Sequence, residues 1–418
     1  MPRTKTTTIA DGRVRSTRAL LPLLGPAMVA GVAYLDPGNV ASNMTAGAKY
    51  GFLLLWVVVV GNVMAWLIQY LSAKLGVTTG RSLPDLLGAR LKKRTGRYAY
   101  WVQAELVAMA TDVAEVIGGA VALNLLFGLP LLVGGLITGT VSMVLLALHD
   151  RRGSRPFEAL ITTLVAVIAV GFCAGIIIGP PAPADLASGL VPRFEDSGSV
   201  LLAASILGAT VMPHAIYAHS ALTRDRFGGV PEGPLRKQVL RATKVDVTIA
   251  LAIAGTVNAA ILLLAATNLQ GIEGTDTLEG AHASLQDALG PVIAMLFAVG
   301  LLASGLASTS VGAYAGAEIM KGLLHVRIPL LLRRFITILP ALAILVLGVD
   351  PTLALVLSQV VLSFGIPFAL IPLVRLTTNK QLLGDAVNAV PTTVTASIAA
   401  GLLITLNVTL LYLLFTGA

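Results

Sequence analysis

The chain is short of charge. Only 12% of its 418 residues are Asp, Glu, Lys or Arg, whereas soluble domains carry about 25%. Mean hydropathy is +0.85. Because the shortage runs the whole length, it excludes an ordinary soluble fold and reads as a polytopic membrane protein. Cysteine is nearly absent. Cys173 stands alone inside an apolar run, so it forms no intrachain disulfide and says nothing of redox compartment. No His/Cys pair has zinc-finger spacing, which argues against a structural zinc site. Neither a His-Glu-x-x-His helix nor a Gly-x-Ser-x-Gly elbow occurs, which leaves a membrane-embedded hydrolase using Asp36 and His214 without a motif. No low-complexity tract or long hydrophilic domain interrupts the chain. Its longest polar connections lie near 77–97 and 223–242.

What the chain has is apolar runs. A spanning helix needs about 20 mainly apolar residues. Eleven candidates lie near 20–45, 51–76, 98–128, 130–149, 156–178, 199–222, 243–269, 283–319, 329–348, 351–375 and 391–416. The run at 283–319 is long enough to begin outside the membrane. Met1 to Arg18 is a polar, basic tail. The run after it lacks a convincing small-residue cleavage site and reads as a retained helix. With the N-terminus inside, every Lys and Arg of the 29 except Lys49 and Arg193 falls on an inner connection or flank, while Glu273, Asp276 and Glu279 fall outside. The bias orients the N-terminus to the cytoplasm and the C-terminus to the exterior. It also explains the net charge of +8 as topology, with no nucleic-acid partner needed. Residues 1–418 form one transmembrane domain. Spans 1–5 (about 20–178) make a first half, spans 6–10 (about 199–375) a second, and span 11 (about 391–416) stands outside both. Each half has an odd number of spans, so the second is inverted relative to the first.

The most informative stretch is Val32-Ala33-Tyr34-Leu35-Asp36-Pro37-Gly38-Asn39 in the first span. A carboxylate at membrane depth costs about 2.5–3.5 kcal/mol on insertion scales. Pro37 removes a backbone donor, and Gly38 loosens the chain. A helix broken there offers free carbonyls beside a carboxylate, the makings of a cation site. The sixth span repeats the device at Leu207-Gly208-Ala209-Thr210-Val211-Met212-Pro213-His214-Ala215. A proline can simply kink a membrane helix, but matching interruptions in two inverted halves point to a transporter's central site. Asp36 and Asn39 supply hard oxygens, Ala209 a free carbonyl and Met212 a soft thioether. Magnesium and calcium prefer all-oxygen shells. A thioether among oxygens favours manganese or iron and admits cadmium.

Asp-Pro-Gly-Asn in the first span and Met-Pro-His in the sixth, followed by Tyr217 and His219-Ser220, closely resemble the Nramp family of proton-coupled divalent metal transporters. The resemblance covers nearly the whole chain. It implies an all-α integral membrane protein of eleven helices with the LeuT-like 5+5 inverted repeat and broken helices 1 and 6. It implies import of Mn2+ or Fe2+ with protons across a bacterial cell membrane, with no resident cofactor. The metal ligands it implies are Asp36, Asn39, Met212 and the Ala209 carbonyl, joined in some states by the Ala33 carbonyl and Gln359. One departure is Ala215, where many members carry Asn.

The third span carries Glu105, Asp112 and Glu115, spaced by seven and three residues on roughly one helical face. Three carboxylates on one stripe must face the interior and be partly protonated or find cations. Arg333 and Arg334 are available partners, and His214 exchanges a proton near neutral pH. These six read either as a proton route or as structure, with Glu105 and the arginines in a cytoplasmic network, Asp112 and Glu115 paired within the bundle and His214 merely hydrogen-bonded; the resemblance implies that the third-span acids line a polar path. Three competing functions remain. An amino-acid symporter of the same fold accommodates an amine at Asp36. A magnesium importer conflicts with Met212. A passive channel needs repeated carbonyl or charge rings, which two broken helices around one site do not provide.

Overall fold

The computed structural model describes residues 25–152, 154–326 and 329–416. The N-terminal tail 1–18 and Arg327 therefore lie outside the described residues. Among those described, the chain is helical with no strand. The first candidate span becomes α1 (Pro26–Gly31), a 3-10 turn (Val32–Leu35) and α2 (Pro37–Tyr50). Then follow α3 (Leu55–Thr79), a short α4 (Leu83–Arg90), α5 (Arg94–Phe127), α6 (Leu131–Arg152), α7 (Ser154–Ile178) and another short helix, α8 (Pro183–Gly189). The sixth candidate splits into α9 (Ser197–Thr210) and α10 (Pro213–Phe227). The remainder is α11 (Pro234–Asn268), α12 (Leu278–Leu289), α13 (Pro291–Leu324), α14 (Leu330–Val346), α15 (Pro351–Thr377), α16 (Lys380–Leu383) and α17 (Val390–Thr416).

Proline opens and glycine closes many of these elements. Pro sits in the first turn of α1, α2, α4, α10, α11, α13 and α15, where its missing N–H is not needed. Gly80, Gly128 and Gly228 end α3, α5 and α10 in the left-handed conformation that a side chain would resist. The long run near 283–319 is two helices, parted at Gly290 (φ 89°), because Pro291 restarts the chain in a new direction. Among the described residues, seven helical segments are long and apolar enough to cross a bilayer, counting α9 and α10 together. The stretches Pro26–Leu35, Leu131–Val144 and Thr162–Ile178 are apolar but shorter.

The partition of side chains inverts that of a soluble protein. Asp36, Asn39, Asp112, Glu115, Arg334 and Gln359 are buried, while Val63, Leu106, Phe335, Ile398 and Leu402 are more than half exposed. Polar groups at the centre and an apolar exterior suit a bundle whose solvent is lipid.

Candidate metal site between two broken helices

The first break is built by proline chemistry. A proline cannot donate to the carbonyl four residues before it, so Pro37 releases the Ala33 carbonyl, which accepts instead from Asp36 N at 3.3 Å in the 3-10 turn. Asp36 is extended (φ −70°, ψ 161°) and caps α2, with Oδ1 accepting from Asn39 N at 2.7 Å. Its Oδ2 accepts from Gln359 Nε2 of α15 at 3.1 Å. The two carbonyls before the break are met by side chains. Asn39 Nδ2 (2.5 Å) and Asn258 Nδ2 of α11 (3.0 Å) donate to Tyr34 O, and Ser304 Oγ of α13 donates to Leu35 O.

The second break follows the same rule with less help. Pro213 releases the Ala209 carbonyl, and no donor meets it among the described residues. Val211 and Met212 are non-helical. Met212 occupies the cap position of α10 without a side-chain hydrogen bond, its thioether fully buried.

Close backbone approach joins the two breaks. Ser42 Oγ of α2 lies 2.6 Å from Ser205 Oγ of α9, which donates to the Val356 carbonyl of α15 at 3.0 Å. Gly38 faces Gln359, where an added Cβ would come within 2.8 Å of its Cγ. A Cβ on Gly208 would lie 2.8 Å from Ser363 N and 3.0 Å from the Gln359 carbonyl carbon. Asp36, Asn39, Gln359 and the α9 terminus carrying Ala209 thus share one buried neighbourhood. Unpartnered buried polar atoms collect in and around it: Gln359 Oε1, Asn43 Oδ1, Asn258 Oδ1 and His214 Nε2. Such orphans are rare in native interiors and call for a ligand, water or proton. Among the described residues no cluster of three His, Cys, Asp or Glu side chains could hold a metal. The groups brought together here are a carboxylate, two amides and the α9 terminus, an oxygen-rich set that suits a hard or borderline divalent ion.

The third-span acids sit against this centre. Gly118 packs on the Pro37 ring so closely that a Cβ would overlap it, one turn beyond Glu115. Arg334 Nη1 bonds to Asp112 Oδ1 and lies 3.1 Å from Glu115 Oε2, all three being fully buried. Ser142 (3.1 Å) and Thr309 (3.3 Å) receive its other donors. Further along α5, Glu105 Oε1 pairs with Arg333 Nη2 at 2.7 Å. His214 Nδ1 lies 3.2 Å from Thr111 Oγ1, so α10 is tied to the same face of α5. The three acids thus line one face of α5, buried at Asp112 and Glu115 and half-buried at Glu105, with His214, Arg333 and Arg334 packed along it. Asn43, Asn258 and Ser304 were not singled out from the sequence. Their signal is a small polar residue within an apolar run, and many such residues only bond their own helix.

The model of the family described as "Natural resistance-associated macrophage protein-like" matches residues 27–413. The chain is 60% identical over 395 residues to the divalent metal cation transporter MntH of Mycobacterium tuberculosis, covering 94% of this chain and 92% of that one. Among solved structures it resembles the Eremococcus coleocola manganese transporter, with a TM-score of 0.85 and 32% identity over 96% of this chain and 88% of the other. Mhp1, a nucleobase-cation-symport-1 family transporter, aligns with a TM-score of 0.55 at 13% identity, covering 93% of this chain and 91% of that one, and shares the fold alone. Paired broken helices, the converging donors and the whole-length match together place the chain in the Nramp family.

Proposed function

We propose that this transporter imports divalent transition metal ions, Mn2+ and Fe2+ with Cd2+ admitted, together with protons, by alternating access at the centre between the two breaks. The carrying observation is the convergence of Asp36, Asn39, Gln359 and the uncapped Ala209 end of α9 in one buried neighbourhood with orphaned acceptors. The metal is cargo. Asp36 would supply its charge, Asn39 and Gln359 amide oxygens, Ala33 and Ala209 carbonyls, and Met212 the thioether that rejects hard ions. In this structure Gln359 turns its amide nitrogen toward Asp36 and leaves Oε1 without a partner. A bound cation at Asp36 would repel that nitrogen and favour the flipped amide.

The proton follows from the same electrostatics. A cation beside Asp36 favours its ionised form, so a proton held there is released. Glu115 and Asp112 lie beyond the Pro37–Gly118 contact, balanced by Arg334, and Glu105 with Arg333 continues the stripe. His214, bonded to Thr111 with Nε2 unpartnered, offers a second acceptor. In this reading eleven spans cross a bacterial cell membrane as one domain, N-terminus inside and C-terminus outside, and spans 6–10 invert spans 1–5. An inside-negative potential then draws each positive charge inward with about 2.3 kcal/mol per 100 mV. The test is manganese uptake into proteoliposomes carrying an interior pH dye. We expect uptake with interior acidification. A well-folded protein that moves no manganese would overturn the reading.

A further inference from the structure

The proline rule that frees Ala33 and Ala209 also applies at Pro340 in α14 and twice within α15. Pro367 releases the Ser363 carbonyl and Pro372 the Phe368 carbonyl. Here each freed carbonyl is met from another helix. Asn407 Nδ2 of α17 donates to Ser363 O at 3.0 Å, and Ser363 Oγ donates back to Asn407 Oδ1 at 2.8 Å. The Tyr100 hydroxyl of α5 donates to Phe368 O. Asn407 is 4% exposed in an otherwise apolar stretch. Leu406 and Leu410 on either side of it pack into a small core with Val200 and Ala204 of α9 and Val360 of α15.

A helix with two interior prolines lacks two of its own backbone hydrogen bonds, so its axis is free to bend there. In lipid a freed carbonyl is costly unless met, so the donor that meets it selects the bend. Gln359 lies eight residues before Pro367, in the N-terminal half of α15. Its reach to Asp36 depends on the angle set near Ser363. The α9 side gives no slack, because Gly208 already touches the backbone at Gln359 and Ser363.

We infer that Asn407 is a positioning residue for metal binding: its two-way bond with Ser363 sets the bend of α15 and holds Gln359 within reach of the central site. The inference rests on the reading of Gln359 as a ligand. It gives the last helix, which belongs to neither half, a direct hold on the cargo site.

The experiment is manganese uptake by the full chain in proteoliposomes, with half-saturating concentration and maximal rate measured separately for Asn407→Leu, Pro367→Ala, their combination and Gln359→Ala. Losing the buried hydrogen bond should raise the half-saturating concentration about tenfold in Asn407→Leu. Pro367→Ala alone should stay within about threefold of the parent, and so should the double variant, because replacing the proline restores the backbone N–H that meets Ser363 O. A merely structural Asn407 would lower yield or maximal rate and gain nothing from Pro367→Ala. If Asn407→Leu does not elute as a single species, Asn407→Ala serves instead, since it removes the donor with less change in bulk. Parent-like saturation in the Asn407 variant, or a double variant no better than it, overturns the inference while an impaired Gln359→Ala leaves the site reading standing. Unchanged saturation in Gln359→Ala sinks both.

Discussion

The two breaks look alike in sequence and are supported differently. At the first, Tyr34 and Leu35 carbonyls are met by Asn39, Asn258 and Ser304, and Asp36 caps the helix that follows. At the second, the Ala209 carbonyl is unmet among the described residues and Met212 caps nothing. Support for the sixth span comes instead from along α10. Ser72 donates to Ile216 O at 2.6 Å, Thr223 to Ala73 O at 3.2 Å, and Gln69 meets His219 at 2.7 Å. The short helix before the first break has its own tie. α1 is only six residues long and is held at its start by Asp246 of α11, which accepts from Gly25 N and Ala27 N. One break is thus a hydrogen-bonded cradle around a carboxylate, and the other a buried proline break with an unmet carbonyl near a thioether. Charge should decide whether the ion binds, and softness which ion.

That division is open to attack at each break. The largest effect belongs to the cradle. Asp36→Ala removes both the charge and the α2 cap, and manganese uptake should fall to the level of empty liposomes. Uptake at the parent rate would remove the first break from the mechanism. Next comes the stripe behind it. Arg334→Met strands Asp112 and Glu115 without their shared cation, and breaking a buried pair costs about 3–5 kcal/mol. The thermal midpoint in detergent should drop sharply, and adding Asp112→Asn should recover part of the loss. An unchanged midpoint would mean that the three groups are not coupled. Met212→Ala tests the second break. Cadmium should lose about tenfold against calcium in competition for uptake, a discrimination of the size one pocket contact provides, with manganese uptake retained. Equal selectivity would reject the thioether as a ligand. Ser304→Ala should do less. It leaves the Leu35 carbonyl unmet, a loss of about 1 kcal/mol, and should raise the half-saturating manganese concentration by less than tenfold.

Both breaks were legible in the sequence because proline acts locally. Pro37 and Pro213 each remove one donor wherever the chain goes afterwards, so the positions of the interruptions and of Asp36 follow from the residues alone. The acids on α5 were legible for a related reason, since three carboxylates in an apolar run cannot face lipid. What meets the freed carbonyls was not legible. Asn258, Ser304 and Asn407 lie 224, 269 and 44 residues from the groups they serve, and no local pattern separates them from a Ser or Asn that merely bonds its own helix. The division of 283–319 at Gly290 shows the same limit in reverse. Ser284, Gln286 and Asp287 are too few polar residues to mark a connection, and the turn made by Gly290 and Pro291 parts the two helices.

The smallest predicted effect concerns the far end of α10, where the sixth span gains its remaining support. Arg224 Nη1 lies 2.8 Å from Asp85 Oδ2 of α4 and 2.8 Å from Glu318 Oε2 of α13. Ser220 Oγ accepts from Leu83 N at 2.9 Å. Asp85 also closes a capping box with Ser82. Partial burial pushes the Asp85 carboxyl upward, but the Ser82 hydrogen bonds and the Arg224 guanidinium outweigh it and hold its pKa below the ordinary carboxylate value. A group depressed in the folded state stabilises fully above its unfolded pKa, about 3.9 for Asp, and loses that contribution as pH falls through the folded value. The tie should therefore be intact throughout the neutral and mildly acidic range. Asp85→Asn should lower the thermal midpoint slightly at pH 7, in keeping with about 0.2–1 kcal/mol for a partly exposed pair. The gap between variant and parent should hold down to about pH 5 and close only below about pH 4. A gap that already closes between pH 7 and pH 5 would mean that the anchor of α10 titrates along with transport, and that the sixth break is held by a pH-sensitive tie and not a permanent one.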